Sequence, residues 1–186
     1  YSLNSGYQVL LTQNGVTLLA LFDTGYITAL TVYTDAGYDY LYMSSAPGPM
    51  TVSPSNSGAG TTPDRIITGA YDDTITLDDT DGHVVYANDG DDVVQGGEGD
   101  ETFYLGDGYD FVQGRGGDDY IEGGAGEDDL RGGAGDDVIY GGDDYDELRG
   151  GADDDLLSGD GAGDMLRGGS GFNVLHGGDG DDDLNG

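Results

Sequence analysis

From Ala87 to Asn185 the chain repeats a nine-residue phrase eleven times without a slip, opening at residues 87, 96, 105, 114, 123, 132, 141, 150, 159, 168 and 177. A fixed period of this length dictates a repeat architecture, in which each unit buries its apolar face only against its neighbours. Sixth place holds Asp92, Glu101, Asp110, Asp119, Asp128, Asp137, Asp146, Asp155, Asp164, Asn173 and Asp182. Eighth place holds Val94, Phe103, Val112, Ile121, Leu130, Ile139, Leu148, Leu157, Leu166, Leu175 and Leu184. A looser copy, Thr68–Thr76, puts Asp73 and Ile75 in those places. Residues 77–86 then break the phase by one residue, which the sequence places at Tyr86.

Six turn residues and a strand of three account for each unit. Glycines at first, second and fourth place supply backbone angles that residues with a Cβ avoid. Along the strand, the eighth residue points to one face and its neighbours at seven and nine to the other. Two units make one coil of a solenoid, with a turn on either side. Eleven units give about five and a half coils, roughly 26 Å of stack at the β spacing.

Such a stack is hard to hold together. One inward aliphatic side chain per nine residues buries little apolar surface against the entropy of ordering the backbone. The chain carries 38 acidic residues against 5 basic ones, all arginines, for a net charge of −33. Sixth-place carboxylates of units n and n+2 face one another across one coil, so the metal-free repeats are expected to be an expanded coil. A cation between same-side turns removes the repulsion. Carboxylates and main-chain carbonyls are hard oxygen donors suited to Ca²⁺. With no cysteine and two histidines, Zn²⁺ and Cu²⁺ are disfavoured. The carbonyls of Gly96, Gly114, Gly123, Ala125, Gly132, Ala134 and Gly141 are candidate ligands.

The pattern G-G-x-G-x-D-x-(aliphatic)-x, clearest in Gly123–Arg131 and Gly132–Tyr140, resembles the RTX nonapeptide of secreted bacterial toxins, proteases and lipases. The resemblance covers 87–185 closely and 68–86 loosely. It implies an all-β fold, a right-handed parallel β-roll or β-solenoid, with Ca²⁺ between the turns. Export by a type I secretion system, through a C-terminal signal absent from this chain, and an extracellular location are also implied. Carried over by position, the bridging pairs are Asp92–Asp110, Asp110–Asp128, Asp128–Asp146, Asp146–Asp164 and Asp164–Asp182 on one side. On the other they are Glu101–Asp119, Asp119–Asp137, Asp137–Asp155 and Asp155–Asn173. Roughly nine sites follow if every gap is filled; Asp73 belongs to the same set. Arg115 departs from the pattern at second place, and Asp144, Asp153 and Ala162 at fourth. The sites touching Ala162 and Asn173 are expected to be weak.

Fifth-place acids such as Asp91, Asp100, Asp118 and Asp136 are expected mainly to deepen the local negative potential. His83 and His176 read as surface histidines at strand positions. Arg131, Arg149 and Arg167 recur every eighteen residues and should stack on one face, neutralising neighbouring acids. Tyr104, Tyr109, Tyr120, Tyr140 and Tyr145 are candidates for an outer aromatic face, which admits an adhesive or glycan-binding role as the alternative to pure calcium-coupled folding. No H-E-x-x-H, G-x-S-x-G or P-loop is present, so the chain reads as non-enzymatic, at most the non-catalytic tail of a secreted enzyme or toxin. The acidity excludes nucleic acid as a partner. The longest apolar run, Val16–Phe22, is too short to span a bilayer.

Upstream, residues 1–43 read as a β-rich region able to cap one end of the roll. Asn14-Gly15, Asp23-Thr24-Gly25 and Asp35-Ala36-Gly37 serve as its turn signals. Residues 44–64, which hold all four prolines, read as a linker, and 65–186 as the roll. A start at Tyr1 rather than Met is expected of a piece of a longer protein.

Overall fold

The computed structural model describes residues 7–13, 16–22, 40–42, 51–52, 65–77 and 80–186. Its strands are β1 (Tyr7–Gln13), β2 (Val16–Phe22), β3 (Tyr40–Tyr42), β4 (Thr51–Val52), β5 (Arg65–Ile67), β6 (Thr74–Thr76), β7 (Val84–Asp89), β8 (Val93–Gln95) and β9 (Thr102–Asp107). They continue as β10 (Phe111–Gly116), β11 (Tyr120–Ala125), β12 (Asp129–Ala134), β13 (Val138–Asp143), β14 (Glu147–Ala152), β15 (Leu156–Asp160), β16 (Met165–Ser170), β17 (Val174–Gly178) and β18 (Asp183–Asn185). Among the described residues no helix is long and apolar enough to cross a membrane.

From β3 onward successive strands alternate between two sheets. One runs β17-β15-β13-β11-β9-β7-β5-β3-β1-β2, the other β18-β16-β14-β12-β10-β8-β6-β4. From β3 and β4 onward the pairing is parallel, and β5 to β18 form seven coils of a β-solenoid, as the nine-residue period requires. Neighbours in the repeats are eighteen residues apart, as in Ile121↔Ile139 and Leu130↔Leu148. The eighth-place side chains from Ile66 to Leu166 lie between the sheets at 0–1 % exposure. At the C-terminal end of the stack Leu184 is 45 % exposed.

The phase break lies elsewhere than Tyr86. Ile75 and Val85 are both inward core residues ten positions apart, whereas Tyr86 pairs in register with Tyr104 eighteen residues on. The extra residue therefore sits in the turn between β6 and β7. The strand keeps its inward alternation because the slack is taken up where no ladder constrains it.

Upstream, β1 and β2 form an antiparallel hairpin with Gln13 opposite Val16, as expected of strands joined through Asn14-Gly15. β3 pairs antiparallel with β1 and parallel with β5, and so joins the hairpin to the solenoid sheet. Within the stretch read as linker, β4 pairs in parallel with β6. The turn signals at 23–25 and 35–37 lie outside the described residues.

Candidate metal centre

The sixth-place acids fall into two files, one down each side of the roll. The first holds Asp73, Asp92, Asp110, Asp128, Asp146, Asp164 and Asp182; the second holds Glu101, Asp119, Asp137, Asp155 and Asn173. From Asp73 to Asp164 every one is at most 3 % exposed. Asn173 and Asp182 are half-buried.

Each file is zipped by one recurring bond. The N–H of a sixth-place residue donates to the side-chain oxygen of the next residue in its file. Asp92 donates to Asp110 Oδ1 at 2.8 Å, Asp110 to Asp128 at 2.8 Å, Asp128 to Asp146 at 2.8 Å, Asp146 to Asp164 at 2.8 Å and Asp164 to Asp182 at 2.9 Å. In the second file Glu101 donates to Asp119 at 2.8 Å, Asp119 to Asp137 at 2.9 Å, Asp137 to Asp155 at 3.0 Å and Asp155 to Asn173 at 2.9 Å. All nine pairs expected from the repeat are thus neighbours. A tenth, in which Asp73 donates to Asp92 at 2.7 Å, spans nineteen residues because of the phase break.

That bond uses one carboxylate oxygen and strands the other. Oδ2 of Asp92, Asp110, Asp119, Asp128, Asp137, Asp146, Asp155 and Asp164 is buried with no hydrogen-bond partner. The glycine at first place creates the space. A Cβ on Gly123 would fall 2.3 Å from Asp128 Oδ2 and 2.5 Å from the Gly141 carbonyl oxygen. The Gly132 carbonyl takes the same position over Gly114, and that of Gly114 over Gly96. First-place carbonyls therefore point along the stack toward the coil before, beside the stranded oxygens. The Ala125 carbonyl accepts the Gly108 N–H at 2.8 Å, and that of Ala134 lies 3.9 Å from a Cβ position on Gly116.

Burial first, and then the neighbouring acids, push these carboxyls up against the pull of the N–H donors. Asp92 and Asp128 rise to about 8, Asp119, Asp137 and Asp146 to about 7, and Asp110 and Asp155 to about 6. Asp164 is raised by the same causes. Stranded anionic oxygens in rows, next to carbonyls, fit a hard divalent cation. Among the described residues no three His, Cys, Asp or Glu side chains gather into a cage.

The bond and the stranded oxygen are separable by mutation. At pH 5 without divalent ions, Asp128→Ala should cost about 1–3 kcal/mol by leaving the buried Asp110 N–H without an acceptor. Asp128→Asn, which keeps an acceptor as Asn173 does, should leave stability within about 0.5 kcal/mol. Urea unfolding of both variants checks this.

His83 and the fifth-place acids behave differently from the sequence reading. His83 is 1 % exposed, not on the surface. Its carbonyl accepts the Thr102 N–H at 2.8 Å, the bond that the Glu101 carbonyl accepts from Tyr120. His83 thus fills sixth place at the head of the second file; counting back from the core residue Val85 across the phase break would have shown it. The fifth-place acids brace the turns. Asp91 Oδ1 accepts the Tyr109 N–H at 2.9 Å, and Asp100, Asp118, Asp136 and Asp154 accept the fifth-place N–H one coil on.

The off-pattern residues keep the turn geometry. Arg115, Asp144, Asp153 and Ala162 all have positive φ, and so do Asn88 and Asp160 at second place, which also depart from glycine there. Arg131, Arg149 and Arg167 stack in register on one sheet. Arg131 pairs with Asp129, Arg149 with Asp129 and Glu147, and Arg167 with Glu147, the neutralising role expected of them.

Comparison with known proteins adds a single match. No curated protein and no solved structure matches this chain. The family model for the RTX calcium-binding nonapeptide repeat matches residues 58–81, 80–112, 110–139, 131–166 and 158–186. Given that coverage, and a parallel β-solenoid with an acid file down each side, the chain belongs to the RTX calcium-binding repeat family.

Proposed function

We propose that this chain is a non-enzymatic module that folds on binding Ca²⁺ outside the cell, as part of a protein exported by type I secretion. The observation that carries the reading is the row of eight buried Oδ2 atoms without partners. Charged and uncompensated, they oppose folding; neutralised by ions, they hold adjacent coils together. The proposed ligands are the sixth-place residues Asp73, Asp92, Glu101, Asp110, Asp119, Asp128, Asp137, Asp146, Asp155, Asp164, Asn173 and Asp182, together with first- and third-place carbonyls. Filled gaps would number roughly nine. In a cytosol poor in free Ca²⁺ the repeats stay unfolded and threadable; outside, at roughly 10⁻⁴–10⁻³ M, they order.

Calorimetric titration with Ca²⁺ and Mg²⁺ tests the assignment. Ca²⁺ should bind at several sites together with a gain of strand signal, and Mg²⁺ should do neither at equal concentration. Asp128→Ala should remove or weaken two sites, since its carboxylate borders two gaps. Unchanged stoichiometry and midpoint in that variant would refute the pairing.

A further inference from the structure

The two sheets are built from one repeat, yet their outer faces differ, and the difference forms a groove. On the sheet holding β7, β9, β11 and β13, the second-place residues Gly106, Gly124 and Gly142 stack in register and form a floor without side chains. One wall is the ninth-place file Tyr104↔Glu122↔Tyr140, joined by Tyr120 from seventh place. The other is the third-place file Asp89↔Asp107↔Ala125↔Asp143, continued by Asp179. The main trough has a volume of about 780 Å³. A smaller hollow at Tyr86 and Asn88 continues it. Together they run about 24 Å along the stack at the β spacing.

The lining has a definite chemistry. Asp107, Glu122, Asp143, Asp160 and Asp179 border the trough, and no basic side chain does. The tyrosines form a continuous ladder, with ring centroids 4.9 Å apart for Tyr86–Tyr104, 5.7 Å for Tyr104–Tyr120 and 5.8 Å for Tyr120–Tyr140. The head of that ladder already carries a cation: the Arg65 guanidinium carbon lies 4.6 Å from the Tyr86 ring centre. On the other sheet third place opens with Glu98 and continues with Gly116, Ala134, Ala152 and Ser170, all small and uncharged, and ninth place runs from Gln95 and Gln113 to Arg131, Arg149 and Arg167. A structural requirement of the repeat would place acids at third place equally on both sheets, whereas from 98 to 170 the other sheet has one, Glu98.

We propose that this trough is a docking groove for an extended, arginine-rich polypeptide segment of a partner protein. Guanidinium groups would stack on the tyrosine faces below Arg65 and pair with the carboxylates of the opposite wall. A flat floor without side chains admits a strand-like backbone. A neutral glycan is the poorer fit, because the charged side chains of the lining offer its hydroxyls only acceptors.

The test uses the full chain in saturating Ca²⁺, with strand content verified by circular dichroism, so that loss of folding is distinguished from loss of docking. A fluorescent peptide of alternating Arg and Ser is titrated against it at 150 mM salt, with a Lys-Ser peptide and a neutral oligosaccharide as comparators. Glu122→Gln with Asp143→Asn should weaken the Arg peptide roughly tenfold, and Tyr104→Leu with Tyr140→Leu roughly fivefold with loss of the preference for Arg over Lys. Glu98→Gln with Asp183→Asn, the same charge change on the other sheet, should alter affinity less than about twofold. For the unmodified chain, hydrogen exchange should slow at 104–107, 122–125 and 140–143 on peptide binding, and not at 131–134 or 149–152. Equal weakening by the two acid pairs, no footprint on the tyrosine sheet, or binding of the oligosaccharide in preference to the peptide would overturn the proposal.

Discussion

Stripped of divalent ions at pH 8, the chain is expected to lose its strand signal in far-UV circular dichroism and to regain part of it as the pH falls toward 5. The sign follows from the sixth-place carboxyls. Burial raises them from an unfolded value of 3.8 to about 6 to 8, so the folded chain holds more protons than the unfolded one. Stability with respect to these groups is full below about pH 4 and is lost as the pH rises through 6 to 8. Each tenfold gain in a carboxyl's proton affinity on folding is worth about 1.4 kcal/mol. Seven such groups impose a penalty on the order of tens of kcal/mol at pH 8, more than the ~5–15 kcal/mol by which ordinary domains are stable. Recovery between pH 8 and 5 spans the range through which the buried files gain their protons. Calcium at pH 8 should restore the same signal. A metal-stripped chain with equal strand content at pH 8 and pH 5 would show that the buried charges are compensated in some other way.

Gly124→Ala should cost about 4 kcal/mol or more in saturating Ca²⁺ and split thermal unfolding into two transitions. A Cβ there would fall 2.0 Å from the Gly106 carbonyl oxygen, and φ is +125°. The obstacle is backbone belonging to the coil before, so relief requires parting the coils. A roll is a one-dimensional stack, and one parted joint divides it. The reverse change, Arg115→Gly, removes a non-glycine residue from φ 85° and should stabilise by up to about 1 kcal/mol. Differential scanning calorimetry of the two variants checks both signs.

The coil, its two sheets and the membership of both acid files could be read directly from the period, because a strict repeat of two turns leaves one way to stack. The role of the main chain could not. The position of Asp128 in the phrase says nothing of which carboxylate oxygen meets the Asp110 N–H, and the stranded oxygen follows only from that bond. Composition likewise hid His83, whose inward place depends on one extra residue in a turn, and the bracing role of Asp100 and Asp118. The face asymmetry was visible only in part. The arginines recur every eighteen residues and declare themselves, whereas Tyr120 enters the tyrosine ladder from seventh place, and Tyr109 and Tyr145 lie in turns at 55 % and 42 % exposure.

The alternation of sheets also acts as a ruler on permissible changes of length. Losing or gaining eighteen residues, for example 123–140, leaves every later strand on its own side and every file intact. A change of nine turns the whole downstream portion over, so that the arginine column would continue beneath the tyrosines and the trough would end there. Sequences of this design can therefore drift in size only by whole double steps if both outer surfaces are to keep their character.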